Sequence, residues 1–342
     1  MIESTTKPAV SVVIPTHNPR MDYLRRVLDA LRAQTLPREQ WELLFVDNAS
    51  REKVEGRVDI GWHPYARIVR EEKLGLTFAR LQGFLEAKGE LIVMVDDDNV
   101  LAPDYLENAV KIAEEHKGIG AFGGKCLPEF ETEPEPWMRE FLPLLALRDH
   151  GEEEIVSEDI RSADGSRRAY PDRAAPIGAG MVVRREAAVA YAERLEVRGQ
   201  RQEVGEEGRQ ESVGSSQVKG REDLMTITDR KGDSLASAGD NDLVFQVLRH
   251  GWNVGYFPQL VVTHLIPRGR LTVDYLARAN RGIQRSWVQV LRKHDACPWA
   301  VIPAWSLPLR KAKAWMAQRP WRNVSSKIRL AGVVGRLEGL VG

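Results

Sequence analysis

The chain has 342 residues with 49 basic and 49 acidic side chains, so it carries no net charge and no overall electrostatic case for binding nucleic acid. Its two cysteines, Cys126 and Cys297, provide neither a disulfide framework nor a Cys-based metal site and fit a reducing compartment. A polar N-terminus without a signal-peptide pattern, and no apolar run near the roughly 18 residues of a membrane span, predict a cytosolic, soluble protein.

Residues 10–15, Val-Ser-Val-Val-Ile-Pro, are β-branched and end at proline, which predicts a first strand. The loop behind it is Thr16-His17-Asn18-Pro19. Leu24, Val27, Leu28 and Leu31 recur at helical spacing and stop before Pro37. Residues 41–46 predict a second strand ending in the polar turn Asp47-Asn48-Ala49-Ser50, and 66–69 a third. Gly75 and Thr77 precede a helix with Phe78, Leu81, Phe84 and Leu85 on one face. Leu91-Ile92-Val93-Met94-Val95 then reads as a strand buried on both faces and tipped by Asp96-Asp97-Asp98-Asn99. A helix opens at Pro103, turns Leu106, Val110 and Ala113 inward and ends at Gly118, before another strand over 119–126.

This alternation predicts an α/β protein with a mostly parallel sheet flanked by helices. Its strand ends gather Thr16, His17, Asp47, Asn48 and the three acids at one rim, where open α/β sheets bind ligands. Three adjacent carboxylates stay ionised most easily beside a cation, and their hard oxygens suit Mg²⁺ or Mn²⁺. Taken alone, the same acids also fit a solvated turn leading into the Pro103 helix. No Gly-x-Gly-x-x-Gly follows the first strand and no Gly-Lys-Ser/Thr loop occurs, so dinucleotide and P-loop readings lack a phosphate cradle.

The middle is less regular. Residues 128–143 are Pro- and Glu-rich around Trp137, a core residue or a platform for a sugar. Residues 177–183 form a Gly-rich turn into a strand, and 193–223, dense in Glu, Arg, Gln and Gly, predict a flexible surface insertion. Asp240-Asn241-Asp242-Leu243 opens a helix with Leu243, Phe245, Val247 and Leu248 inward; by itself Asp240 reads as its N-cap. A late strand over 260–264 carries His264 at its tip, and a long helix spans 271–293. From Trp299 the chain holds Trp305, Trp315 and Trp321 among Arg310, Lys311, Lys313, Arg319, Arg322, Lys327, Arg329 and Arg336, against the single acid Glu338. Two readings stand: an interfacial membrane helix, or a helical hairpin packed on the preceding domain with its Trp side chains buried.

In this order the motifs resemble family 2 glycosyltransferases, inverting, nucleotide-sugar-dependent enzymes of the GT-A fold. The matching pieces are Val12-Val13-Ile14-Pro15-Thr16-His17-Asn18, Phe45-Val46-Asp47-Asn48-Ala49-Ser50, Gly75 to Arg80, and Val95-Asp96-Asp97-Asp98-Asn99 with Pro103-Asp104. Gly178-Ala179-Gly180-Met181, Gly239-Asp240-Asn241-Asp242-Leu243 and His264-Leu265-Ile266-Pro267 with Arg270 follow. The resemblance implies a GT-A domain over 9–290, with 193–223 inserted and 291–342 a basic, Trp-rich helical extension. It implies that Pro15, Thr16, His17 and Asn18 line the nucleotide pocket, that Asp47 and Asn48 bind base and ribose, and that Arg80, Asp96 and Asp97 help hold the nucleotide sugar. Asp96 and Asp98 match the Asp-x-Asp pair, with Asp98 the direct ligand of a divalent Mg²⁺ or Mn²⁺ and His264 joining at the metal or diphosphate. Asp240 matches the second acid of the family's Glu-Asp base motif, whose first position is Gly239 here. Trp137, Gly180 and Asp242 would contact the acceptor.

The implied reaction is a metal-assisted single displacement from a nucleotide-sugar donor, a UDP-sugar first among the candidates. The acceptor would be a saccharide or lipid-linked hydroxyl, in polysaccharide or glycolipid synthesis. Residues 299–342 would touch the inner face of the membrane, and nucleic acid is no partner. Two other functions stay open: a non-catalytic sugar-nucleotide-binding protein on the same fold, and a metal-dependent nucleotidyltransferase. The latter should carry a Gly-rich, basic triphosphate loop where Thr16-His17-Asn18-Pro19 stands.

Overall fold

A computed structural model describes residues 7–157, 170–195 and 239–342. The strands are β1 (Val10–Thr16), β2 (Trp41–Asn48), β3 (Ala66–Glu71), β4 (Leu91–Met94), β5 (Asn99–Leu101), β6 (Ile119–Phe130), β7 (Ile155–Ser157), β8 (Val182–Arg184) and β9 (Asn253–Ile266). They form one sheet in the order β3-β2-β1-β4-β8-β6-β9-β5, with β7 also paired to β9. The β3-β2-β1-β4 half is parallel throughout. Beyond it, β8 runs antiparallel to both β4 and β6, and β6 and β9 are again parallel. The sheet is therefore mixed in its second half, and parallel where the sequence alternates strand and helix most regularly.

The helices are α1 (Met21–Arg32), α2 (Leu76–Glu86), α3 (Tyr105–Glu115), α4 (185–195), α5 (Gly239–Arg249), α6 (Val273–Lys293), α7 (Leu307–Gln318) and α8 (Val324–Gly339). Every residue of β1 and β2 is buried, because helices cover both faces. Alternate side chains sort cleanly between the two layers. Val10, Val12, Ile14, Leu43, Phe45 and Val93 pack with Leu24 and Leu28 of α1 and Leu106 of α3. Val13, Leu44, Val46, Ile92 and Met94 pack with Phe84 of α2, Tyr191 of α4 and Leu243 of α5. A one-residue slip in any of these strands would swap its two apolar sets.

Two differences from the sequence expectations matter for the site. The late strand begins at Asn253 rather than at 260. Pro258 interrupts the pattern, and the ladder absorbs it in a register shift between Gly123 and Lys125 of β6. The second is β5, three residues that follow the acids directly and pair antiparallel with β9, Asn99 opposite His264. The predicted insertion at 193–223 lies outside the described residues except for 193–195, which are helical.

The C-terminal region joins the body through α8, which lies against α6. Ile328 is fully buried in a cluster with Met138, Phe141, Ile266 and Leu276. A Cβ added at Gly335 would lie 2.1 Å from the Arg281 carbonyl oxygen, so the glycine permits the two backbones to approach. The hairpin reading is right about this packing and wrong about the tryptophans: Trp299, Trp305, Trp315 and Trp321 are all exposed.

Candidate active site

The three acids leave β4 in a turn closed by the Asn99 amide donating to the Asp96 carbonyl at 3.0 Å. Entry into β5 then sets Asp98 against β9, where the Leu265 amide donates to the Asp98 carbonyl at 2.9 Å. Asp98 Oδ2 consequently lies 2.8 Å from an Arg270 guanidinium nitrogen and 3.4 Å from His264 Nε2. The other terminal nitrogen of Arg270 is 3.0 Å from the same His264 nitrogen. The Asn99 amide donates to Asp98 Oδ1 at 3.0 Å.

The adjacent carboxyls separate electrostatically. Burial alone would push Asp98 up, but His264 and the Arg270 guanidinium outweigh it and bring its carboxyl down to about 2. Asp97 accepts a hydrogen bond from the Thr16 hydroxyl. Its burial, aided by the charge of Asp98, pushes it up to about 7. The cations that relieve the cluster are thus supplied by the chain itself.

Arg80, buried on α2, is the second of them. It donates to Asp96 Oδ1 at 3.2 Å and is ion-paired with Asp240 in the first turn of α5. Gly178 makes room for this contact: a Cβ there would lie 2.2 Å from Asp240 Oδ2 and 2.9 Å from an Arg80 nitrogen. Asp96, Asp98, Arg80, Asp240, His264 and Arg270 therefore converge from four separate stretches of chain at one rim of the sheet.

On the other side of the rim the expected base and ribose contacts are engaged by the fold. Asp47 is buried and accepts from the Ser50 amide at 3.1 Å, the Val54 amide at 3.3 Å and Arg70 at 2.8 Å. The Asn48 side chain donates to the Lys73 carbonyl at 2.8 Å and accepts from the Gly75 amide at 2.8 Å, holding the connection from β3 to α2. His17 is exposed; its Nδ1 is 2.7 Å from the Asn48 carbonyl and its Nε2 2.7 Å from the Asn18 amide. Pro15 is buried at the end of β1, so exposed ring and amide surface here comes from His17 and Asn18.

Two acceptor expectations change. Asp242 is fully buried, bonded to Lys293 at 2.8 Å, His294 at 2.7 Å and the Tyr191 hydroxyl at 2.9 Å; it pins α5 to α6 and α4 and offers no surface to an acceptor. Gly180 is a buried turn with φ +73°, whose amide donates to the Met94 carbonyl at 3.0 Å and whose carbonyl accepts from Tyr105. Its backbone groups are spent on packing. Trp137 is half-buried against Phe141, with Nε1 donating to Glu135 at 2.9 Å. Sequence reasoning assigned no role to Arg270; its position six residues after His264, past Pro267, was the available signal.

Among the described residues no group of three or more His, Cys, Asp or Glu side chains forms a ready metal cage. Asp98 Oδ2 and His264 Nε2 nevertheless converge on a position now taken by a guanidinium, itself a cation. Mg²⁺ is commonly bound by one or two protein ligands plus phosphate oxygens and water, and an oxygen–imidazole pair also suits Mn²⁺. The residues present fit such an ion.

Residues 11–190, more than half of the chain, match the sequence profile described as Glycosyl transferase family 2. The "Glucosyl-dolichyl phosphate glucuronosyltransferase" of Haloferax volcanii is 28% identical over 162 residues, 46% of this chain and 50% of that protein. The "Poly(ribitol-phosphate) beta-glucosyltransferase" of Bacillus spizizenii is 29% identical over 139 residues, 37% of this chain and 22% of that protein. The chain thus spans half or less of the length of these curated relatives. A mannosyltransferase structure from Pyrobaculum calidifontis, in complex with GDP-Man and Mn²⁺, superposes over 96% of this chain and 74% of its own, with TM-score 0.50 and 20% identity. That likeness gives the fold, a GT-A sheet flanked by helices with a helical C-terminal region. With the profile covering more than half of its residues, the chain belongs to glycosyl transferase family 2.

Proposed function

We propose that the protein transfers a sugar, with inversion, from a nucleoside-diphosphate donor to a hydroxyl of a saccharide or lipid-linked acceptor, in glycan or glycolipid synthesis. The observation that carries this reading is the convergence of Asp96, Asp98, Arg80, Asp240, His264 and Arg270 at the rim, paired as alternating anions and cations. Family membership supports the reaction class, and the name of the Haloferax relative supports a lipid-linked acceptor. A UDP-sugar is the first donor to test. The catalytic unit in this reading is 9–290, with 291–342 its extension.

His17 and Asn18 line the base side, and Asp47 and Asn48 shape its wall by holding the loops behind it. The diphosphate lies toward Asp98, His264 and Arg270. Asp98 and His264, with Asp96 nearby, would hold a divalent ion, which when bound would supply positive charge beside the leaving diphosphate. Arg80 turns from Asp240 toward the incoming phosphate, and the Asp240 carboxylate faces the acceptor. Asp240 takes the proton of the acceptor hydroxyl, the acceptor oxygen bonds to the anomeric carbon, and the bond to the diphosphate oxygen breaks. The nucleoside diphosphate leaves with the electron pair, through an oxocarbenium-like transition state as in glycoside hydrolysis.

A nucleotide-sugar panel with Mn²⁺ or Mg²⁺, followed for nucleoside diphosphate release, tests this. Asp240→Asn should keep donor affinity and lose about 10²-fold or more in turnover. Donor binding by the unmodified protein with no turnover on any acceptor would favour the non-catalytic binding role instead.

A further inference from the structure

The part of the molecule that the reaction leaves unused is α7. Of its residues only Ala314 is buried, so most of the helix surface faces solvent. Its outward side is not polar. Trp305, in the turn that leads into the helix, is 81% exposed, Leu309 73% and Met316 60%. With exposed Ala312 they fall at spacings of four, three and four, the rhythm of one helical stripe. Trp315 and Trp321 extend the apolar surface, with ring centroids 4.5 Å apart and more than half of each side chain exposed.

Charge surrounds this stripe with one sign. No acidic residue occurs between Asp295 and Glu338. Glu338 is bound to Arg281 at 2.5 Å and to Lys311 at 2.6 Å, and Arg329 is ion-paired with Glu140. Arg310, Lys313, Arg319, Arg322 and Lys327 are exposed and form no ion pair among the described residues. In a chain with no net charge, this is a local concentration of positive charge beside apolar side chains. Exposed apolar patches rimmed in this way mark interaction surfaces.

We propose that the α7 ridge is a docking surface for an anionic lipid bilayer. The helix would lie in the plane of the interface, with Trp305, Leu309 and Met316 among the acyl chains and headgroups and the Lys and Arg side chains reaching lipid phosphates. An exposed apolar stripe flanked by long cations matches a fluid anionic surface better than the shaped pocket of a folded partner. No helix among the described residues is long and apolar enough to cross a membrane, so the contact is peripheral. This inference does not depend on the proposed glycosyl transfer.

The test is vesicle co-sedimentation of the full chain, with phosphatidylcholine alone and with phosphatidylcholine mixed with phosphatidylglycerol. Binding is expected only to the anionic vesicles, with a blue shift of Trp emission. Raising salt to about 0.5 M should weaken it, because screening then acts over a few ångströms. Two variants separate the contributions: Trp305→Ser/Leu309→Ser/Met316→Ser, and Arg310→Gln/Lys313→Gln/Arg322→Gln. Both alter exposed side chains, and circular dichroism should match the unmodified protein. Each should reduce anionic vesicle binding about tenfold or more. The proposal is overturned if the full chain ignores anionic vesicles, or if both variants bind them as well as the original. It is also overturned if the apolar variant turns a dimer into a monomer while vesicle binding is absent throughout, which would assign the ridge to a second copy.

Discussion

Asp98 carries a full charge in a buried position because Arg270 and His264 face it, whereas Asp97, one residue away, is pushed toward neutrality by burial. Replacing Asp98 with Asn keeps the shape and removes the charge. Arg270 then loses its anionic partner and the corner loses a carboxylate charge. We expect Mn²⁺-dependent nucleoside-diphosphate affinity, measured by titration calorimetry, to fall about tenfold or more, given the usual 1.5–3 kcal/mol of a hydrogen bond to a charged group. Unchanged affinity would remove Asp98 from the diphosphate corner. Gly178→Ala probes the opposite side of the same site. The added methyl would sit 2.2 Å from Asp240 Oδ2, so the carboxylate must move. A displacement of this size at a reacting group costs about 10²-fold in rate. Turnover should therefore fall far more than thermal stability; equal turnover would show that Asp240 need not be held where the structure has it.

The contact between α5 and α6 is the element that positions Asp240, the proposed base. Asp242, on the first turn of α5, meets Lys293 and His294 at the C-terminal end of α6, and Phe245 stacks on His294 with ring centroids 4.4 Å apart. Burial by itself raises the Asp242 carboxyl, but His294 and Lys293 more than compensate, and the net shift is downward. Such a group adds stability above its unfolded pKa and loses that contribution as pH falls through the folded one. Asp242→Asn removes the carboxylate charge that faces the buried Lys293 and should cost about 3–5 kcal/mol near neutral pH. The gap between the two proteins, measured by urea unfolding, should close as pH drops below about 4, the ordinary carboxylate range. A gap independent of pH would mean that packing, not charge, holds the two helices together.

At the scale of the whole molecule, the C-terminal helices behave as part of the body. Ile328 of α8 is buried with Met138, Phe141 and Leu276, and Leu340 with Val288 and Ile302. Ending the chain at Asp295 would expose these partners. At about 1.5–3 kcal/mol for each large apolar side chain uncovered, the loss reaches several kcal/mol. For a protein of this size that lowers the melting temperature by roughly 5–15 °C. Calorimetry should show one transition for the full chain and an earlier one for the shortened chain. An unchanged melting temperature would make the extension an independent unit. α7 contributes little to this packing, and therefore its apolar ridge can be altered without loss of the fold.

The sequence by itself determined the layered α/β body, because β1, β2 and β4 are contiguous apolar runs and α1 and α3 carry their own periodicity. Such signals are local, and they extended to the acids at the end of β4 and to His264. Tertiary structure alone decided how these residues meet. A three-residue strand, β5, is too short to carry a pattern, yet its pairing with β9 sets Asp98 beside His264. Arg270 enters only once that register exists. Asp240 and Asp242 look equivalent in sequence, but two residues of helix are about 200° of rotation, so one faces the rim and the other α6. Composition marked the Trp-rich, basic tail; which of its side chains face solvent was decided by α8 occupying α6 and leaving α7 outside. Burial is a property of neighbours, and these neighbours are far apart along the chain.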